Sequence, residues 1–177
     1  LHCYETIGLE KTTMETVAKE AGIGRATLYR HFTNQDEILA EAVLSEMGEV
    51  QKKIEAELDD LSDLDKFLEN ACFIILKESP KKTVASQMFG SGGAIVQRAA
   101  LGQDLLTGFG EFLLRDFYQV AQKQQRIAEG VELAHIVEWI TRFLTSYLAN
   151  PSQLFTSDSE LRFLIRRGLI PIILIHQ

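Results

Sequence analysis

Apolar residues recur every three or four positions along almost the whole chain, which is the spacing of one face of an α-helix. No convincing run of strict apolar and polar alternation indicates a strand. Only 3 prolines and 12 glycines interrupt the 177 residues, so long stretches are free to be helical. The pattern therefore predicts an all-α protein.

The N-terminal part predicts short helices separated by glycine. One helix begins at Thr12, which stands in the S/T-x-x-E relation of a capping box to Glu15, and stops at Gly22. A second short helix follows at once, roughly from Arg25 to Phe32. Two short helices joined by a tight glycine-containing turn are typical of a helix-turn-helix, whose second helix enters the major groove of DNA.

A larger helical body follows this head of about 45 residues. A long helix is predicted from Asn34 to about Glu57, and the glycines around 90–93 indicate a joint. The further predicted helices run from Leu64 to before Pro80, from Leu105 to about Val120, from Val131 to Ala149, and from Asp158 to the end.

The net charge of the whole chain is unfavourable for DNA binding, whereas the local charge of the N-terminal segment favours it. The net charge of -7 argues against non-specific coating of DNA or of an anionic membrane. Between residues 11 and 35, however, cations exceed anions by two, and the second short helix carries several exposed polar groups. The cations are Lys11, Lys19, Arg25 and Arg30, and the anions are Glu15 and Glu20.

Other functional classes find no support in the sequence. Cys3 and Cys72 have neither disulfide-framework nor zinc-site spacing, so we expect a reducing, cytoplasmic location and no metal. The longest apolar run, 168–175, is shorter than the roughly 20 residues of a membrane span. Serine-hydrolase, Walker, zinc-protease and dinucleotide motifs are absent, so we expect neither an enzyme nor a cofactor. Because the chain opens at Leu1 without methionine, we expect its true N-terminus to be missing.

The segment from Thr12 to Ile38, TTMETVAKEAGIGRATLYRHFTNQDEI, closely resembles the DNA-binding head of the TetR family of bacterial transcriptional regulators. Gly8 upstream agrees with this resemblance. It implies a homodimer with a three-helix DNA-binding domain at 1–45 and a helical ligand-binding and dimerisation domain at 46–177. Such proteins are most often repressors, in which a small-molecule effector moves the long linking helix and separates the two heads from a near-palindromic operator.

The resemblance also assigns roles to residues of the head. Arg25 and Thr27 would face bases, and an arginine can pair bidentately with guanine. Tyr29 and His31 match positions that contact phosphates, although each has a plainer packing alternative, and a solvent-facing Arg30 is equally plausible. Gln35 replaces a lysine that the family often has, which weakens or removes one phosphate contact. The predicted DNA-contacting set is Thr12, Thr13, Arg25, Ala26, Thr27, Tyr29, Arg30 and His31.

For the body, the resemblance places the dimer interface in the last two helices, which carry more apolar surface than a narrow stripe needs. An intramolecular core claims part of that surface. A hydrophobic or amphipathic effector is expected in an aromatic pocket, although an aromatic stripe is usually core. Candidate lining residues are Phe67, Phe73, Phe109, Phe112, Phe117, Trp139 and Phe143, with Gln97, Arg98, Gln103, His135 and Arg142 for a polar end.

One alternative stays open from sequence. A small-molecule-binding helical protein, or an enzyme, could merely retain such a head. Turnover or tight ligand binding without operator affinity would distinguish it from a regulator.

Overall fold

The computed structural model describes residues 1–57, 61–87 and 105–175, and every regular element in these ranges is helical. The predicted all-α class is therefore confirmed. The helices are α1 (His2–Ile7), α2 (Met14–Glu20), α3 (Arg25–His31), α4 (Gln35–Glu57), α5 (Leu64–Glu78), a 3-10 turn (Ser79–Lys81), α6 (Thr83–Gln87), α7 (Leu105–Lys123), α8 (Leu133–Ala149), α9 (Asp158–Gly168) and α10 (Ile170–Ile173). Arg98, Gln97, Gln103 and the glycines of 90–93 lie outside the described residues.

The chain divides into two compact units. Unit 1 comprises residues 1–48 and 80–105, and unit 2 comprises residues 49–79 and 106–177. α4 begins in the first and ends in the second, so a single helix is shared by both. No pattern along the chain indicated that α6 would join the helix-turn-helix in unit 1.

In unit 1, α1, α2, α3, α4 and α6 bury a small apolar core. α1 contacts both α2 and α6, and α2 contacts α3. Glu46 of α4 is also buried, and its carboxylate accepts hydrogen bonds from the backbone N–H groups of Val84 and Ala85. Buried apolar side chains of this unit include Tyr4, Leu9, Met14, Ala18, Leu28, Leu39, Val43 and Val84.

In unit 2, α5 is the central helix and packs against α8, α9 and α10. Its side chains share one apolar core with those helices and with α7. Buried Glu69 of α5 is bound by Arg162 and Arg166 of α9. Fully buried members of the core include Leu68, Phe117, Ile136, Ile165 and Leu174.

The single helix predicted from Asp158 to the end is wrong. α9 ends at Gly168 and a separate short helix, α10, begins at Ile170. Pro171 lies in the first turn of α10, where its missing N–H has no helical partner to lose. In a continuous helix the same residue would leave the Arg167 carbonyl without its donor and clash with it. The proline therefore fixes the break.

Within residues 1–57, 61–87 and 105–175, no helix has the length and apolar character needed to cross a bilayer. The same ranges hold no cluster of three or more histidine, cysteine, aspartate or glutamate side chains suited to a metal ion.

Candidate functional site

The turn between α2 and α3 is set by two glycines with different tasks. Gly22 has φ +67°, in the left-handed region that suits the residue just past a helix end. The backbone N–H groups of Gly22 and Ile23 donate to the carbonyls of Lys19 and Ala18 and close the end of α2. Gly24, with an extended backbone, is the N-cap of α3. The turn is thus short enough to hold the two helices in contact.

α3 has one inward and one open face. Leu28 is 3% exposed and Phe32 is half-buried, so these two anchor the helix as the sequence predicts. Among the predicted DNA-contacting residues, Thr27 is half-buried and the rest of those on α3 lie on the open face. The exposed residues are Arg25, Ala26, Tyr29, Arg30 and His31.

Arg25 is held by two neighbours on this open face. Its Nη2 lies 2.7 Å from Oε1 of Glu15 in the first turn of α2. Its guanidinium carbon lies 5.5 Å from the centroid of the Tyr29 ring, which is cation–π distance. The Tyr29 side chain first, and the Glu15 carboxylate second, raise the pKa of Arg25. Sequence reasoning counted Glu15 as a nearby anion and as a capping-box partner of Thr12, and it missed this pair.

The Glu15 carboxylate has a lowered pKa. Hydrogen bonding from its own backbone N–H is the main cause that holds its pKa below the ordinary value, and Arg25 and the Thr13 hydroxyl lower it further. Arg30, in contrast, donates from Nη2 to the neutral Thr27 hydroxyl at 3.4 Å. The two arginines of α3 therefore have different kinds of partner.

The capping box of α2 begins one residue later than predicted. Thr13 is the N-cap, and it exchanges hydrogen bonds with Thr16. Thr12 is only 1% exposed, its hydroxyl donates to the Gly8 carbonyl at 2.7 Å, and its N–H donates to the same oxygen. Because both donors of Thr12 are used internally, its predicted place in the DNA-contacting set is wrong. Thr13 is exposed and stays a prediction.

Gln35 has a structural partner that its sequence position did not reveal. Its side-chain amide donates to the backbone carbonyl of Thr12 and ties the start of α4 to the loop before α2. A lysine here, as the family often has, would carry a charge toward DNA. In this chain the position instead fixes two elements of unit 1.

Unit 2 contains a cavity of about 460 Å³ between the last turns of α4, the start of α5 and the middle of α7. Phe67, Phe112 and Phe117, all three predicted pocket residues, line it. Phe67 stacks on Phe117 with the ring centroids 5.5 Å apart, so an aromatic pair forms one wall. The other lining residues are Gln51, Ile54, Glu55, Leu61, Leu113, Arg115 and Asp116.

Among the residues that the structure describes, the other predicted pocket residues are not part of this lining. Phe73 lies under the Arg162 guanidinium at 3.9 Å from the ring centroid, and His135 stacks on Trp139. Phe143 packs against the core, Phe109 is half-buried, and Arg142 pairs with Glu138 on the surface of α8. The sequence analysis did not predict the polar lining residues of this cavity. Gln51 and Glu55 stand one helical turn apart on α4, next to the apolar Ile54, and this spacing was the signal that could have indicated them.

Known proteins that resemble this chain also contain a helix-turn-helix head. The family model for bacterial regulatory proteins of the tetR family matches residues 1–42. An uncharacterized HTH-type transcriptional regulator, YhgD of Bacillus subtilis (strain 168), is 28% identical over 74 residues, which cover 42% of this chain and 39% of that protein. The match thus spans well under half the length of this relative.

A solved structure matches over nearly the full length. The TetR family transcriptional regulator PfmR from Thermus thermophilus aligns with a TM-score of 0.51 at 20% identity, covering 95% of this chain and 94% of that chain. At this identity the likeness shows the fold.

Proposed function

We propose that this chain is a transcriptional regulator of the TetR family that binds operator DNA through α3. The observation that carries the proposal is the open face of α3, where Arg25, Tyr29 and His31 are exposed while Leu28 anchors the opposite side. A helix of this kind fits the major groove, and its N-terminal residues meet base edges. In this assignment Arg25 reads a base, and Tyr29 and His31 contact phosphates.

The finer proposal is a cytoplasmic repressor that acts as a homodimer on a near-palindromic operator. Two copies of α3 would then lie about one DNA turn apart, roughly 34 to 36 Å. The proposed domains are 1–45 for DNA binding and 46–177 for ligand binding and dimerisation. The dimer is proposed to form through the two C-terminal helices predicted from the sequence, 131–149 and Asp158 to the end. Support comes from exposed apolar side chains within the second of these, Phe163 of α9 and Ile172 of α10.

The proposed effector is a small amphipathic molecule in the cavity of unit 2. The volume of this cavity, about 460 Å³, lies in the usual range for ligand sites. Phe67, Leu113 and Phe117 offer an apolar wall, while Gln51 and Arg115 offer polar groups. α4 lines the cavity near its C-terminal end and binds α6 through Glu46 at its midpoint. An occupant that shifts α4 would therefore act on the helix that continues into unit 1.

The test is selection of the full chain against a pool of randomised 30-base-pair duplexes, followed by titration of the enriched sequence at several salt concentrations. Enrichment of a near-palindrome and binding that weakens with salt are expected. Arg25→Ala should reduce affinity for the enriched duplex about 5- to 100-fold. Arg142→Ala is the matched control, because Arg142 is also exposed and paired with a glutamate but lies on α8. Equal effects of both changes, or no enrichment, would overturn the proposal.

A further inference from the structure

Glu15 and Arg25 join the two helices of the helix-turn-helix by side chains that both remain accessible. The carboxylate is 2.7 Å from the guanidinium, and the side chains are 54% and 62% exposed. Their pairing is therefore a surface feature at the edge of the face that would meet DNA. It places a negative charge beside the arginine that opens α3.

The contact limits how freely Arg25 can move before DNA arrives. A lone surface arginine samples many rotamers and loses that freedom when it binds. Arg25 is instead held between the Glu15 carboxylate and the Tyr29 ring. A guanidinium has five N–H donors, so one contact with Glu15 leaves donors for a second acceptor.

The carboxylate also distinguishes between the two kinds of acceptor that DNA offers. A phosphate oxygen that approaches Arg25 carries a negative charge and is repelled by Glu15. The O6 and N7 acceptors of guanine are uncharged, so they meet far less repulsion. Beside Glu15, an arginine that would otherwise bind any phosphate is biased toward a base edge.

We propose that Glu15 is a positioning residue that makes Arg25 selective for a guanine edge over the DNA backbone. The inference rests on the proposed DNA binding by α3 and deepens it, because it assigns specificity to an acidic side chain on α2. The Glu15 and Arg25 pair has two effects. It restrains the guanidinium, which favours binding to the operator, and it repels phosphate, which disfavours binding to other DNA.

The test compares Glu15→Gln with wild type on two probes, the duplex enriched by wild type and an unselected randomised duplex pool. Glu15→Gln should bind the pool about 2- to 10-fold more tightly, while affinity for the enriched duplex stays level or falls. Repeated selection with the variant should lose preference at one base pair in each half-site, the same one that Arg25→Ala relaxes. A merely structural role for Glu15 would not move preference at one position alone.

Two controls separate positioning from net charge. Glu20→Gln removes the same charge from the same helix, but Glu20 faces His2 rather than Arg25. It should raise affinity for both probes by one common factor. In the Arg25→Ala background, Glu15→Gln should likewise change both probes equally. The inference is overturned if Glu15→Gln behaves as Glu20→Gln does while wild type still enriches a sequence. If wild type enriches nothing, the proposed DNA binding itself fails, and this inference fails with it.

Discussion

Both carboxylate oxygens of Glu46 accept hydrogen bonds from the backbone N–H of Val84, at 3.0 and 3.1 Å, and one of them also accepts from the N–H of Ala85 at 2.8 Å. These N–H groups belong to the first turn of α6, which has no helical acceptors for them. A buried side chain of α4 thus completes a short helix that is 38 residues away in sequence.

Glu46→Ala should therefore loosen α6. The change leaves two N–H groups without their charged acceptor in a buried place, and a cost of about 2 to 4 kcal/mol in the free energy of unfolding is expected. Glu46→Gln keeps one acceptor oxygen and should cost less. Urea unfolding gives the stabilities, and hydrogen exchange at residues 83–87 should speed up more in the alanine variant. Equal protection of α6 in all three proteins would contradict the assigned role.

The close approach of α7 and α8 depends on a missing side chain. A Cβ built on Gly110 would lie 2.6 Å from Cγ1 of Val137, which is buried and has a stiff β-branched side chain. Gly110→Ala should destabilise the protein by about 1 to 3 kcal/mol through this overlap.

Gly108 in the same helix provides the matched control. No atom lies within 4 Å of the Cβ that an alanine would add there. Gly108→Ala should thus gain helix propensity and stabilise the protein by up to about 1 kcal/mol. Thermal unfolding of the two variants should shift the melting temperature in opposite directions. Shifts of the same sign would show that the α7 and α8 contact is looser than described.

The longer helices were largely predictable because each buries a periodic apolar face, whereas the short α6 buries only Val84 and was not predicted. Leu68, Cys72 and Leu76 mark α5, and α4 was placed correctly to Glu57. The cap of α2 was placed one residue early since Thr12 and Thr13 both have a suitable residue three positions on. In the structure the Thr12 hydroxyl donates a hydrogen bond to the Gly8 carbonyl, and Thr13 is the N-cap.

The candidate site was less predictable, because its key relations lie between elements. The exposed face of α3 followed from Leu28 and Phe32, whose spacing fixes the buried side. The pairing of Glu15 with Arg25 depends on the angle of the turn, which periodicity does not contain. Likewise, an aromatic stripe does not reveal whether its members face a cavity, as Phe67 does, or another side chain, as Phe73 does.

Tyr4 carries a buried hydroxyl that finds no hydrogen-bond partner among the described residues. Burial first, then the charges of Cys3 and Asp36, raises its pKa to about 12. Tyr4→Phe removes a desolvated polar group and should leave stability unchanged or raise it by up to about 1 kcal/mol. The control is Tyr118→Phe, whose lost hydrogen bond to the Val131 carbonyl should cost about 1 kcal/mol.

High pH gives a second readout for Tyr4. Because its folded pKa exceeds the ordinary value of 10.0, the advantage of the neutral phenol is complete below that pH and is lost as the pH rises through about 12. Wild type should thus lose stability over this window relative to Tyr4→Phe. Buried Cys72, with a pKa also raised to about 12, contributes equally to both proteins. A constant difference across the window would contradict the prediction.

Glu69 should govern stability in acid. Burial alone would raise its pKa, but hydrogen bonds from Arg166 and Arg162 lower it below the ordinary 4.5. A lowered folded pKa means that the carboxylate stabilises fully above 4.5 and loses its effect as the pH falls through the folded value.

Glu69→Gln should cost about 2 kcal/mol near neutral pH, since two arginines lose a charged acceptor while staying partly exposed. The difference from wild type should shrink steadily below the ordinary carboxyl pKa. Glu138→Gln breaks an exposed pair with Arg142 on α8 and should cost no more than about 0.5 kcal/mol at any pH. Urea unfolding across the acid range measures both. If the difference in the free energy of unfolding between wild type and Glu69→Gln widened in acid, the predicted direction of this pH dependence would be contradicted.

Phe163 offers the sharpest test of the proposed homodimer. It is 56% exposed on α9, although its neighbours Leu161 and Ile165 point inward and are buried. A symmetric interface contains each residue twice, so burying the exposed parts of two phenyl rings contributes about 2 to 3 kcal/mol, and a buried carboxylate in their place adds a further cost. Phe163→Glu should therefore weaken the dimer at least about 100-fold without unfolding the chain.

Leu154→Glu is the control, because Leu154 is 70% exposed but lies in the connection between α8 and α9. Sedimentation over a concentration series should find wild type and Leu154→Glu dimeric where Phe163→Glu is a folded monomer. A dimer that survives Phe163→Glu would move the interface away from the outer face of α9.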